Sequence, residues 1–316
     1  MKTLLAIETS CDDTSAAILR GRTLLADSTH MQVRHQYFGG VVPELASRDH
    51  LEMIDKVVDI VVQASGLELR KIDAIAYTAY PGLMGSLLVG KCFAQGLSLA
   101  LNIPLIPVDH LMGHVLSILI DNDLQPLFPF ICLTASGGHT QLVLVESFSN
   151  MKVLGETLDD AVGEAFDKIG KILNLPYPAG KEIDRLAALG DETSFMFPIT
   201  RVQDYNYSFS GIKSSFKNFI DKNIKKDSEF VENNLNDICA SIQANLINAL
   251  ISKFDEAIMH YNPKAIAIAG GVAANSRFRI EAQKLAARHK ISCYSPEKKF
   301  CTDNAAMIGI VAQCIT

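Results

Sequence analysis

The chain has 316 residues, 48% hydrophobic and 20% charged, with a net charge of −6 at pH 7. That length exceeds one domain of ~100–200 residues and suits two, and the composition excludes a long disordered chain. The acidic balance excludes a surface that grips nucleic acid over its whole extent, since such surfaces are basic, so any RNA chemistry needs a local basic patch or a partner.

In chain order, residues 1–7 are apolar after Lys2, and Glu8 ends the run far short of a secretory signal. Thr3–Glu8 reads as a buried strand, Thr9–Ser15 as a polar turn, and Ala16–Leu19 as the start of a second strand. Leu51, Ile54, Val57, Val58, Val61 and Val62 recur at a helical period and predict a core-facing stripe. Gly85–Cys92 nearly matches a phosphate loop, but Cys92 stands where Mg²⁺ needs a hydroxyl. Leu87, Leu88 and Val89 prefer burial, so these glycines are expected to let a helix pack closely. The apolar run Ala94–Leu101 is shorter than the ~20 residues that span a bilayer, and a soluble, non-membrane protein is expected.

Phe130–Thr134, the turn Ala135–Thr140 and Gln141–Val145 repeat the opening strand–turn–strand unit, which suggests a duplicated architecture. Tyr177–Tyr207 is the least regular stretch. Lys217–Asn236 is the most polar and reads as a solvated helix and loop. Ile238, Ile242, Leu246, Ala249, Leu250 and Phe254 form a second helical stripe. Ala265–Ala269 is a strand, Gly270–Asn275 a turn, and a helix begins near Ser276. Met307, Ile310 and Val311 mark a last helix. Strands alternating with helices define an α/β class. Seven cysteines, an odd number without a CxxC, form neither a zinc ribbon nor a disulfide framework and point to a reducing compartment, the cytoplasm.

Three features carry chemistry. His110 and His114 stand four apart, ~6 Å along a helix axis, which suits one metal ion or simply a pair of packed or surface histidines. Leu111 replaces the Glu of a metalloprotease HExxH, which argues against peptide hydrolysis. Asp303, just ahead of the last helix, is either a third ligand or an N-cap, and the residues alone do not choose. The turns Ser136–Gly138 and Gly270–Gly271 each follow an apolar strand. Their backbone N–H groups can nest an anion and their glycines admit a ligand, so together they predict a nucleotide site.

The segments IETSCDDT (7–14), GGVVPELASRDH (39–50), YPGLMGSLLVG (80–90), HLMGH (110–114), SGGHTQL (136–142), DDAVGEAFDK (159–168), YPAG (177–180), YSFSGIK (207–213), AGGVAAN (269–275) and CTDNAAMIG (301–309) run from end to end. With them the chain resembles the TsaD family, bacterial tRNA N6-adenosine threonylcarbamoyltransferases formerly called O-sialoglycoprotein endopeptidases. The resemblance implies a two-lobed actin-like, Hsp70-like, sugar-kinase-like fold with duplicated ribonuclease-H-like cores. An N-terminal lobe of residues 1–107 would be joined by a C-terminal helix, 304–316, and a lobe of residues 108–303 would carry the metal and nucleotide sites. The implied reaction moves a threonylcarbamoyl group from threonylcarbamoyl-adenylate to N6 of adenosine 37 in tRNA. The implied metal ligands are His110, His114 and Asp303, for Fe(2+) or Zn(2+). The implied substrate residues are Thr134, Ala135, Ser136, Gly137, Gly138, Asp167, Gly180, Asp184 and Asn275. Implied partners are the paralogue TsaB and the ATPase TsaE. Asp13 stands where Glu is frequent in the family, which leaves Asp12 open between an orienting or catalytic acid and a turn-forming residue. A non-enzymatic nucleotide-binding scaffold and a metalloprotease are the rival readings.

Overall fold

The computed structural model describes every residue except Gly39, Asp123 and Arg201; Gly39, which opens the quoted segment 39–50, therefore lies outside the described residues. The chain forms two compact units, Met1–Gln125 with Pro296–Thr316, and Pro126–Ser295. These boundaries differ from the expected 107/108 and 303/304. His110, His114 and Asp303 all fall in the first unit, because the segment after residue 107 packs against the N-terminal sheet and the last helix.

In the first unit, β1 (Thr3–Glu8), β2 (Asp13–Arg20), β3 (Thr23–Met31), α1 (Pro43–Ser65), β4 (Ala74–Tyr80), α2 (Met84–Leu101), β5 (Leu105–Asp109) and α3 (His110–Leu116) follow in order. The sheet order is β3-β2-β1-β4-β5, antiparallel through the first three strands and parallel from β1 to β5. Asp13 already belongs to β2, so the first turn is tighter than expected. Leu5 and Ile7 pack with Ile54, Val57, Val58 and Val61 of α1. Leu51 is 69% exposed and leaves the predicted stripe. Helix α1 starts on Pro43, whose missing N–H costs nothing there, and stops at Gly66 with φ 66°.

The near phosphate loop lies in α2 and its glycines serve packing. A Cβ on Gly90 would stand 2.2 Å from Thr9 Oγ1. The apolar run expected over Ala94–Leu101 extends back to Met84, giving an 18-residue helix long and apolar enough to cross a membrane by length and composition.

In the second unit, β6 (Phe130–Ala135), β7 (Thr140–Ser147), β8 (Asn150–Glu156), α4 (Val162–Ile172), α5 (Gly180–Ala187), α6 (Ser210–Ile224), α7 (Phe230–Tyr261), β9 (Ala265–Ala269), α8 (Ser276–His289) and β10 (Ser292–Tyr294) follow. The order β8-β7-β6-β9-β10 repeats the first sheet strand for strand, with the same antiparallel-then-parallel pattern. The duplication expected from two short turns is thus a duplication of whole sheets. Helix α5 lies inside the stretch expected to be least regular; its eight residues are too few for periodicity to stand out among Pro and Gly. The last helix, α9 (Ala305–Ile315), returns to the first unit. Gly309 lets it approach Leu19 and Ala6, so the first sheet carries α1 and α2 on one face and α9 on the other.

Candidate metal centre and nucleotide cradle

Three short-range decisions bring the candidate metal ligands together. Asp109 caps α3, its Oδ1 accepting from the N–H groups of Leu111 at 2.7 Å and Met112 at 3.1 Å. That cap starts the helix at His110, and the four-residue spacing brings His114 to the same face. The rings meet edge to face with centroids 4.7 Å apart. Gly113 has a similar role on the other side: a Cβ there would press on Met307 at 3.0 Å, so its absence lets α3 and α9 come together. The third decision is the cap of α9. Asn304, not Asp303, accepts from Met307 N–H at 3.0 Å. The Asp303 carboxylate instead faces the histidines, Oδ1 lying 3.2 Å from His114 Nε2 and 3.6 Å from His110 Nε2.

This arrangement fits a divalent ion. Ligand atoms bound tetrahedrally at ~2.1 Å stand ~3.4 Å apart, and the three donor atoms lie within 4.8 Å of one another. Both ring nitrogens of His114 are buried without a hydrogen bond, an expensive state that a metal bond to one of them would relieve. Three protein ligands leave positions open, as catalytic sites do.

The surroundings carry excess negative charge. Burial disfavours protonated His110, yet Glu8 and Asp303 outweigh it and raise the imidazole to about 9. Asp13 is pushed up to about 8 by burial first and then by Asp12, Asp303 and Glu8. Carboxylates crowded to this degree favour a cation among them. Asp12 sits in the bend between β1 and β2, within electrostatic reach of Asp13 and Cys11.

The second unit holds the predicted substrate residues. Thr134 and Ala135 are buried in β6. Ser136 N–H donates to His139 C=O at 2.8 Å, and Ser136 Oγ accepts from His139 N–H at 3.1 Å, which fixes the turn. Gly137, Gly138 and Gly180 have no positive φ, and a Cβ on any of them would meet nothing within 4 Å. Neither backbone strain nor internal packing requires glycine there, which leaves room for a ligand. Gly163 and Gly270 differ: their Cβ atoms would strike the Ser136 carbonyl at 2.5 Å and the Ala135 carbonyl at 2.4 Å.

Asp167 accepts from Ala179 N–H at 2.7 Å and so ties α4 to the entrance of α5. Burial lifts its carboxyl to about 6, against that hydrogen bond. Asp184 accepts from Ser276 N–H and Oγ at 3.0 and 2.8 Å. Asn275 caps α8 and donates to Gln243 at 2.8 Å. A cavity of about 320 Å³ beside these residues is lined by Ala188, Gln243, Ser276, Arg277, Ile280 and Lys284, among others. A larger cleft, about 570 Å³, lies around Tyr205, Lys253 and His260 and contains none of the predicted residues.

Glu8, Gln243 and Ser276 escaped the sequence reading. Glu8 gave one signal, a charge closing an otherwise apolar strand. Gln243 gave another, an amide inside the apolar stretch Ile238–Leu246.

Two duplicated α/β sheets of this order define the actin-like class that includes sugar kinases. T. kodakarensis HypF superposes with a TM-score of 0.65 at 12% identity, over 99% of this chain and 48% of that one. The Acidaminococcus fermentans (R)-2-hydroxyglutaryl-CoA dehydratase component A superposes with a TM-score of 0.57 at 13% identity, over 100% of both chains. The profile described as TsaD, tRNA N6-adenosine threonylcarbamoyltransferase, matches residues 23–310. A tRNA N6-adenosine threonylcarbamoyltransferase of Riemerella anatipestifer is 48% identical over 98% of this chain and 92% of its own length. That of Christiangramia forsetii is 48% identical over 97% and 91%. The chain belongs to the TsaD family of tRNA N6-adenosine threonylcarbamoyltransferases.

Proposed function

We propose that this enzyme transfers threonylcarbamoyl from threonylcarbamoyl-adenylate to N6 of adenosine 37 in tRNAs reading codons that begin with A, releasing AMP, in the cytoplasm. The observation that carries the reading is the convergence of His110, His114 and Asp303, the last 189 residues beyond His114 in sequence, on one set of donor atoms within 4.8 Å. When bound there, Fe(2+) or Zn(2+) supplies Lewis acidity toward the acyl carbonyl. His110, His114 and Asp303 hold the ion.

The turn Ser136–Gly138 cradles the phosphate through the N–H groups of Gly137 and Gly138, the Ser136 N–H being given to His139 C=O. Asp167 and Asp184 accept hydrogen bonds from ribose or base donors, and Gly180 and Asn275 line the adenine. N6 of the tRNA adenosine attacks the carbamoyl carbon, the bond from that carbon to the phosphate oxygen breaks, and AMP leaves with the bonding pair. Asp12 is the group assigned to orient the amine or take its proton.

The paralogue TsaB, the ATPase TsaE and tRNA are the proposed partners. Leu51 on α1 and Met84, Leu88 and Leu99 on α2 are more than half exposed, which supports pairing through this unit. The test is mass spectrometry of tRNA nucleosides after mixing the protein, its partners, tRNA and threonylcarbamoyl-adenylate. Threonylcarbamoyl-adenosine that depends on this chain is expected. Equal product without it contradicts the reading.

A further inference from the structure

Glu8 is fully buried at the end of β1. Its Oε1 accepts from Ser10 N–H and its Oε2 accepts from the Thr78 hydroxyl. Oε2 also lies 3.1 Å from His110 Nδ1, and Ser10 Oγ lies 3.1 Å from the same nitrogen. The opposite nitrogen, Nε2, is the one that faces Asp303. Three elements thus converge on one carboxylate: β1 supplies it, β4 supplies Thr78, and α3 supplies the ring.

We propose that Glu8 is a positioning residue of the metal centre: it holds the proton of His110 on Nδ1 and so keeps the Nε2 lone pair directed at the ion. The inference rests on the reading of His110 as a ligand. An ionised carboxylate only accepts hydrogen bonds, so an Nδ1 facing it carries hydrogen. With the metal bound, the other nitrogen must be bare. The Ser10 and Thr78 donors occupy the carboxylate from two further directions, and Ser10 N–H fixes which oxygen is Oε1. Burial strengthens the bond and excludes water that could replace it.

Glu8→Gln tests this without removing volume. Ser10 N–H requires an acceptor at Oε1, so the amide places its NH₂ at the Oε2 position and offers hydrogen to His110 Nδ1. Nδ1 must then accept, the ring proton moves to Nε2, and the ligand is blocked. Zn²⁺ titrated into metal-free protein against a chromophoric chelator is expected to bind Glu8→Gln ~10–100-fold more weakly than wild type, with unchanged circular dichroism. Thr78→Val removes a different hydrogen bond from the same carboxylate and is expected to stay within ~3-fold.

A second measurement needs no variant. Imidazole nitrogen NMR of the Zn²⁺-loaded wild-type chain is expected to show His110 protonated at Nδ1 and ligated at Nε2. Wild-type affinity in Glu8→Gln, equal losses in Glu8→Gln and Thr78→Val, or ligation through Nδ1 overturns the role of Glu8 alone when His110→Ala still loses the metal. Wild-type binding by His110→Ala overturns the ligand set, and the role of Glu8 with it.

Discussion

Ser276 gives both its N–H and its hydroxyl to the carboxylate of Asp184, 92 residues earlier in the chain, at 3.0 and 2.8 Å. The pair joins the first residue of α8 to α5 beside the cavity of the second unit. Asp184 therefore has a structural duty as well as its proposed duty toward the nucleotide, and the two separate experimentally. Asp184→Ala is expected to weaken AMP binding ~10-fold or more by calorimetry, the cost of a charge-assisted hydrogen bond. Ser276→Ala keeps the backbone donor and is expected to lose less. Equal losses would mean that Asp184 acts only by holding α8.

Gly137→Val separates fold from ligand. A Cβ at Gly137 meets nothing within 4 Å, so the melting temperature is expected to change little. The branched side chain would occupy the space assigned to the phosphate, and AMP affinity is expected to fall at least ~10-fold. Gly163→Ala is the opposite case, with a Cβ 2.5 Å from the Ser136 carbonyl, and is expected to lower stability. Unchanged AMP affinity in Gly137→Val would remove the turn from the binding site.

Asp167 predicts a pH dependence. Its folded carboxyl titrates near 6 instead of 3.8 because it is buried. Between these values the native state holds a proton that the unfolded chain has released, so this residue's contribution to stability falls as pH rises from about 4 to about 6. The whole effect is on the order of 2–3 kcal/mol. Asp167→Asn, whose amide oxygen can still accept from Ala179 N–H, is expected to flatten that part of the denaturation profile. Parallel profiles for the two proteins would contradict the assignment.

Isolated, the chain is expected to bind tRNA weakly and with steep salt dependence. Its net charge is −6, and its basic cluster, the exposed Lys217, Lys222, Lys225 and Lys226, is interrupted by Asp221 and Asp227. Filter binding of tRNA by the chain alone and with its partners measures this. Tight, salt-resistant binding by the chain alone would contradict it.

Much of this architecture was legible from pattern. β1 and β9 begin and end where apolar runs meet polar turns, and α8 begins at Ser276, directly after the turn Gly270–Asn275. Leu51 misled because period alone does not say which edge of a stripe reaches the core, and it lies outside the packed arc formed by Ile54, Val57 and Val61. Asp303 could not be separated from a cap in sequence because the neighbouring Asn304 competes for that role, and only the folded chain shows which one takes it. Glu8 and Ser276 depend on partners 102 and 92 residues away, a range at which local pattern carries no information.

One ion held by His110, His114 and Asp303 is proposed to serve the transfer. The most direct measurement is threonylcarbamoyl-adenosine formed per chain by wild type, His110→Ala and Asp303→Ala, with metal content determined on the same samples. Wild type is expected to carry about one ion per chain. Both variants are expected to retain the fold, lose the ion and lose product at least ~100-fold. Variants that keep wild-type metal and wild-type product would contradict the claim.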